Sequence, residues 1–181
     1  MLDGKEIEVV SAAEFPDVRE PEETGATFEE NARLKALYYA RMTGLPALAD
    51  DSGLVVDALG GRPGVHSARY ANDDGERNAK LLGELGDTPN RSARFFCVAA
   101  FAADGKIVAQ ALGTLEGRIA RQARGENGFG FDPVFQLQPP DNRHLAELGR
   151  AEKNEISHRA KALQQIMPEV LKFKAKRQNT G

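Results

Sequence analysis

Two adjacent carboxylates, Asp50 and Asp51, close the apolar run LPALA at 45–49 and are followed at once by Ser52 and Gly53. Adjacent acids at the end of an apolar strand are costly near a core unless cations pair with them. Oxygen ligands of this kind suit Mg²⁺, which takes one or two carboxylates together with waters and substrate phosphates. A carboxylate not held by metal can activate a water. The plainer reading is an acidic turn whose carboxylates cap backbone. A second acidic pair, Glu22 and Glu23, lies in PEETG at 21–25 and can add a ligand to the same ion or simply complement a helix dipole. Asn31 and Lys35 stand one helical turn apart, so the lysine either reaches a phosphate or solvates a face. In GFGFDP at 128–133, Phe129 and Phe131 offer aromatic faces on which a base can stack. There Gly128 and Gly130 permit close backbone approach, and Asp132 can accept from a base edge. The same segment also fits a hairpin turn with two core aromatics. Lys153 and the run Ser157-His158-Arg159 gather three cation-capable groups near a helix start, where anions are favoured. Acids for metal, cations for phosphate and an aromatic loop for a base make the set that nucleoside triphosphate hydrolysis needs.

The elements that must position these groups follow from pattern. EIEVV at 6–10 reads as a short strand. Thr27-x-x-Glu30 is a capping box opening a helix that ends at Gly44, with Phe28, Ala32, Ala36, Tyr39 and Ala40 as its buried stripe. The LPALA run is a strand that delivers the acids to a turn beyond its end. Residues 76–85 read as a second helix. SARFFCVAAFA at 92–102 alternates as a long strand, and 106–121 continues as strands. Ser157 caps a last helix in which Pro168 should kink or break the pattern. The basic tail 172–181 is expected to fray. The fold class expected is α/β, mixed α+β: one two-lobed domain over 1–181, with a central elongated mixed sheet flanked by helices and a cleft between the lobes.

Bulk properties narrow the partners. The 181 residues are 41% apolar and 28% charged, an ordinary globular balance. A net charge of −3 argues against broad binding to nucleic acid or an anionic membrane. Cys97 is the single cysteine, so no intrachain disulfide forms, and a reducing cytoplasm is the expected compartment. The N-terminus carries no apolar signal core, and no run is long enough to span a bilayer.

ETGATFEENARLKA, LPALADDSGLVVDALGGRPGVHSARYA, ARFFC, GFGFDPVF and AEKNEISHRAKAL, in this order, resemble the inosine triphosphate pyrophosphatase family, also called dITP/XTP or non-standard purine NTP pyrophosphatases. The likeness runs over about 22–171. It implies hydrolysis of ITP, dITP or XTP to the monophosphate and pyrophosphate, clearing deaminated purines from the nucleotide pool. It implies Mg²⁺, a homodimer and a two-lobed fold. Residue by residue, Asp51 corresponds to the proton acceptor and also approaches the metal, and Glu23 to a metal-binding carboxylate. Ser52 corresponds to a substrate contact, and Lys35 and Lys153 to phosphate- or substrate-binding lysines. Phe129, Gly130, Phe131 and Asp132 match the base-binding loop. His158 and Arg159 match the pair that reads the purine, where donors favour a 6-oxo over a 6-amino group. Family members begin with an apolar strand, a [Ser/Thr]-x-Asn-x-x-Lys loop and a helix. No such segment precedes Glu6, and MLDGKEIEVV looks like the end of that helix plus the second strand. The expectation is a chain without the first strand–loop–helix unit, through a misplaced start or a true truncation. The alternative function is nucleotide binding with impaired or no catalysis.

Overall fold

Alternation along 92–103 builds the spine of the molecule. In the computed structural model, which describes residues 7–178, this run is strand β2 (Ser92–Ala103). Cys97, Ala99 and Phe101 face one side, and Val98, Ala100 and Ala102 face the other. Strand β1 (Ala47–Val56) pairs with β2 antiparallel, and β3 (Lys106–Ile119) pairs with its other edge. A short β4 (Phe135–Leu137) closes the order β1-β2-β3-β4. The β2–β3 turn is Asp104-Gly105, both at positive φ, which matches the twist of a two-residue hairpin.

Helix α1 (Phe28–Thr43) covers the Val98 side, where Ala32 and Ala36 are fully buried. Thr27 and Glu30 form the expected capping box, and Gly44 ends the helix at φ 70°. Helix α4 (His158–Gln178) covers the Cys97 side through Ala162 and Ile166. At the far end of the sheet a larger apolar cluster joins Leu54, Val56, Phe95, Leu115 and Phe135 to helix α2 (Asp74–Leu85) through Leu81 and Leu85. Helix α3 (Arg150–Ile156) leads directly into α4. One sheet thus carries two packed regions, the expected α/β domain.

The structure departs from expectation at several places. The three strand pairings are all antiparallel among the described residues, where a mixed sheet was expected. The strands lie in space in their chain order, so no crossover is needed. Residues 7–10 form no strand, and Val9 and Val10 stand exposed, while 1–6 lie outside the described residues. Asp50 and Asp51 sit inside β1 and not in a turn after it, because the ladder with β2 runs unbroken through both. The predicted strands over 106–121 are a single strand. Pro168 does not end α4, since Ile166 and Val170 on either side of it pack on the sheet. The tail expected to fray is helical to Gln178, and 179–181 lie outside the described residues. No helix among the described residues is long and apolar enough to cross a membrane.

Candidate functional site

A β-strand sends successive side chains to opposite faces. That rule decides the geometry here, because it separates Asp50 from Asp51. Asp51 faces α1, while Asp50 and Ser52 face α4.

On the α1 face, Lys35 bridges two carboxylates. Its Nζ donates to Glu23 Oε1 at 2.7 Å and to Asp51 Oδ1 at 2.8 Å. Asn31 is fully buried and ties the same parts together. Its amide nitrogen donates to Asp51 Oδ2 at 3.3 Å, and its Oδ1 accepts from the Gly25 N–H at 2.8 Å. The loop carrying Glu23 is therefore pinned to the helix that carries Lys35. Arg69 reaches Glu23 from outside, at 3.3 Å. Burial favours the protonated form of Glu23, but Lys35 and then Arg69 overcome it and hold its pKa below the usual range. At Asp51 burial wins with Glu23's charge assisting, and the pKa is raised despite Lys35. Burial disfavours charge on Lys35 too, yet both carboxylates keep it firmly protonated. A basic carboxylate of raised pKa beside an ammonium is the arrangement of a general base. Glu22, the other acid of PEETG, is exposed and outside this cluster.

Two carboxylates that share one cation are also within reach of one divalent ion. Glu23 and Asp51 are hard oxygen donors. That fits Mg²⁺, which is held by one or two carboxylates and completed by water and phosphate oxygens. It fits Zn²⁺ poorly.

On the α4 face lies a cleft of about 970 Å³, lined among others by Ser52, Phe129, Lys153, His158 and Arg159. That volume is at the upper end for small-molecule sites. Phe129 is 66% exposed, with the Lys153 ammonium 4.7 Å from its ring centre. Phe131 is 4% exposed and packs against Tyr70, so of the two aromatics expected to stack a base only Phe129 is free to do so. Asp132 is likewise buried, accepting from Lys153 and from the Phe129 N–H, which makes it a fastener of the loop. Gly130 spends both backbone groups on α2: its N–H donates to Asp74 at 2.6 Å and its carbonyl accepts from Asn78 at 3.0 Å.

His158 stacks on Phe95, with ring centres 4.8 Å apart, and its Nδ1 is buried without a hydrogen-bond partner. Burial first, then the positive charge of Arg159, pushes its pKa down to about 4, so the ring is neutral at physiological pH. Arg159 donates through Nε to Asp50 at 3.1 Å. Ser157 caps α4 by accepting from the Ala160 N–H.

Two glycines set the spacing. A side chain at Gly53 would meet the Gly64 carbonyl at 2.4 Å and Ser67 Oγ at 2.6 Å, where the segment Gly64–Arg69 crosses β1. A side chain at Gly113 of β3 would meet the His158 carbonyl at 2.0 Å and the Ala162 nitrogen at 2.5 Å. The bare backbone of β3 is what lets the first turn of α4 bring His158 and Arg159 onto the sheet.

The structure thus gathers Glu23, Lys35 and Asp51 in one cluster, and Ser52, Phe129, Lys153, His158 and Arg159 in another. Strand β1 stands between them. Sequence reasoning missed the anchoring parts, Arg69, Asp74, Asn78 and Phe95. Asp74 and Asn78 carry a readable signal, one helical turn apart on a helix. Arg69 carries none, because its proximity to Glu23 is tertiary.

A family model described as the Ham1 family matches residues 1–169. The chain belongs to the Ham1 family. Among curated relatives, the dITP/XTP pyrophosphatase of Geobacillus kaustophilus is 55% identical over 88% of this chain and 80% of its own. That of Pseudomonas aeruginosa is 52% identical over 88% and 83%. Among solved structures, a HAM1 protein from Coxiella burnetii superposes with TM-score 0.82 at 48% identity, covering 88% of this chain and 84% of that one. The Staphylococcus aureus Ham1 protein gives 0.79 at 41%, covering 90% and 83%. The chain therefore shares its fold with solved Ham1 proteins and its sequence with relatives named dITP/XTP pyrophosphatases.

Proposed function

We propose that this Ham1-family chain hydrolyses deaminated purine nucleoside triphosphates (ITP, dITP, XTP) to the monophosphate and pyrophosphate. The observation that carries the reading is the Glu23–Lys35–Asp51 cluster backed against the aromatic and cationic cleft across a single strand. The base stacks on Phe129 in the cleft, and Lys153 and Arg159 supply positive charge beside it. The phosphates pass Ser52 and the edge of β1 toward Asp51. Asp51 takes a proton from water, whose oxygen attacks the α-phosphorus. The bond from that phosphorus to the bridging oxygen breaks, and pyrophosphate leaves with the electron pair. Lys35 holds Asp51 in place and faces the polyphosphate as charge develops. Glu23 and Asp51 would hold Mg²⁺, which when bound neutralises phosphate charge. Donors at His158 and Arg159 favour a 6-oxo purine, because a 6-amino group leaves them unpaired. A homodimer, action on free nucleotides and not on nucleic acid, and a cytoplasmic setting belong to the same reading.

The test is product analysis with ITP and Mg²⁺. Pyrophosphate is expected, with ATP and GTP poorly used; release of orthophosphate alone would overturn the proposal. Asp51→Asn should lower kcat by about 100-fold or more while ITP still binds, since loss of a general base typically costs that much. Undiminished turnover in this variant would remove Asp51 from the role of base.

A further inference from the structure

Asp50 is the acid that the hydrolytic reading leaves unused. It lies on the face of β1 opposite Asp51 and opposite the face that Lys35 serves. Three donors converge on its Oδ2: Ser52 Oγ at 2.7 Å, Cys97 Sγ at 3.5 Å and Arg159 Nε at 3.1 Å. Two of them, Ser52 and Arg159, also line the cleft. Burial disfavours the charge of Asp50, but Arg159 and then Ser52 outweigh it, so the group is held ionised.

The Asp50 carboxylate engages Arg159 through Nε alone, and the two terminal nitrogens make no hydrogen bond among the described residues. A guanidinium held by one edge presents its remaining donors as a rigid fork. Without an anchor, a side chain that is 45% exposed samples many rotamers and presents no fixed donor pair. From the other side, the carbonyl of His158 and the nitrogen of Ala162 pack on bare Gly113, which fixes the backbone from which Arg159 springs.

We propose that Asp50 is a positioning residue for base selection: it orients Arg159, and through Ser52 the rim of the cleft, so that the donors meet a purine 6-oxo group. The adjacent aspartates then divide the work, Asp51 serving the phosphates and Asp50 the base. This rests on the nucleotide reading of the cleft, and the test is chosen to separate the two.

Equilibrium binding of ITP and of ATP is measured by calorimetry, with Ca²⁺ replacing Mg²⁺ to slow turnover, for the wild type, Asp50→Ala, Asp50→Asn, Arg159→Ala and the double variant Asp50→Ala/Arg159→Ala. Thermal melts check that each variant folds. Asp50→Ala should reduce the ratio of the two dissociation constants by about tenfold, the worth of one charge-assisted hydrogen bond. Asp50→Asn, which keeps an acceptor, should fall between it and the wild type. In the Arg159→Ala background, Asp50→Ala should change the ratio no further, because its effect runs through that guanidinium. An unchanged ratio in folded Asp50→Ala, or an equal further loss in the double variant, overturns the proposal. A wild type that discriminates ITP from ATP yet yields no pyrophosphate overturns the hydrolytic reading alone. One that binds neither nucleotide overturns both.

Discussion

At the scale of single residues, ionisation is governed by what packs against a group and which charges stand beside it. His158 shows this most directly. Burial against Phe95, and then the positive charges of Arg159, Lys153 and Lys161, push its pKa down from the ordinary 6.5 to about 4 in the folded chain. Between those pH values the unfolded chain binds a proton that the folded chain refuses. Stability is therefore fully present above about 6.5 and is lost progressively as pH falls toward about 4. Melting temperatures taken between pH 7 and pH 5 should fall more steeply for the wild type than for His158→Phe, which keeps the stack and removes the titration. Parallel slopes would show that the ring is not held neutral by the fold. The types of the candidate residues were visible in the sequence: Asp51, Glu23, Lys35, Phe129, Lys153, His158 and Arg159 all stand at one of the two clusters. Their orientations were not. GFGFDP offers two equivalent phenylalanines, and only tertiary packing on Tyr70 makes Phe131 core and leaves Phe129 outside.

At the scale of elements, helix ends and alternation were legible because they are local. The Thr27 capping box, the Gly44 terminator and the alternating 92–102 segment each depend on neighbours a few residues away. The placement of the acids within β1 was hidden, because a strand that continues through two aspartates needs a partner strand and cations that no local window contains. The contact of α4 with β3 is another such long-range feature. Gly113→Ala should destabilise the protein by at least about 2 kcal/mol, since the added methyl meets backbone that no side-chain rotation can move. Urea denaturation measures this. It should also weaken ITP binding, because the displaced turn carries His158 and Arg159. A loss of stability with unchanged binding would show that α4 shifts as a unit without disturbing the cleft.

At the scale of the whole molecule, one sheet serves as wall, spacer and scaffold at once. Both packed layers, α1 with its Ala32 and Ala36 and α4 with its Ala162, lie against a β2 made mostly of small residues, so the layers sit close and the two clusters are separated by a single strand. The lone thiol is buried at the middle of that construction. Cys97 has no exposed surface, and burial together with the charge of Asp50 pushes its pKa up to about 12. It is therefore a protonated, sheltered sulfur that electrophiles reach only when α4 lifts from the sheet. Its labelling by a maleimide should be slow in native buffer, should accelerate with urea along the unfolding curve, and should slow again when ITP is bound. Labelling within seconds in native buffer would mean that this layer opens readily. The protein thus carries its own clock for the opening of its interior, read by one covalent bond and requiring no added probe site.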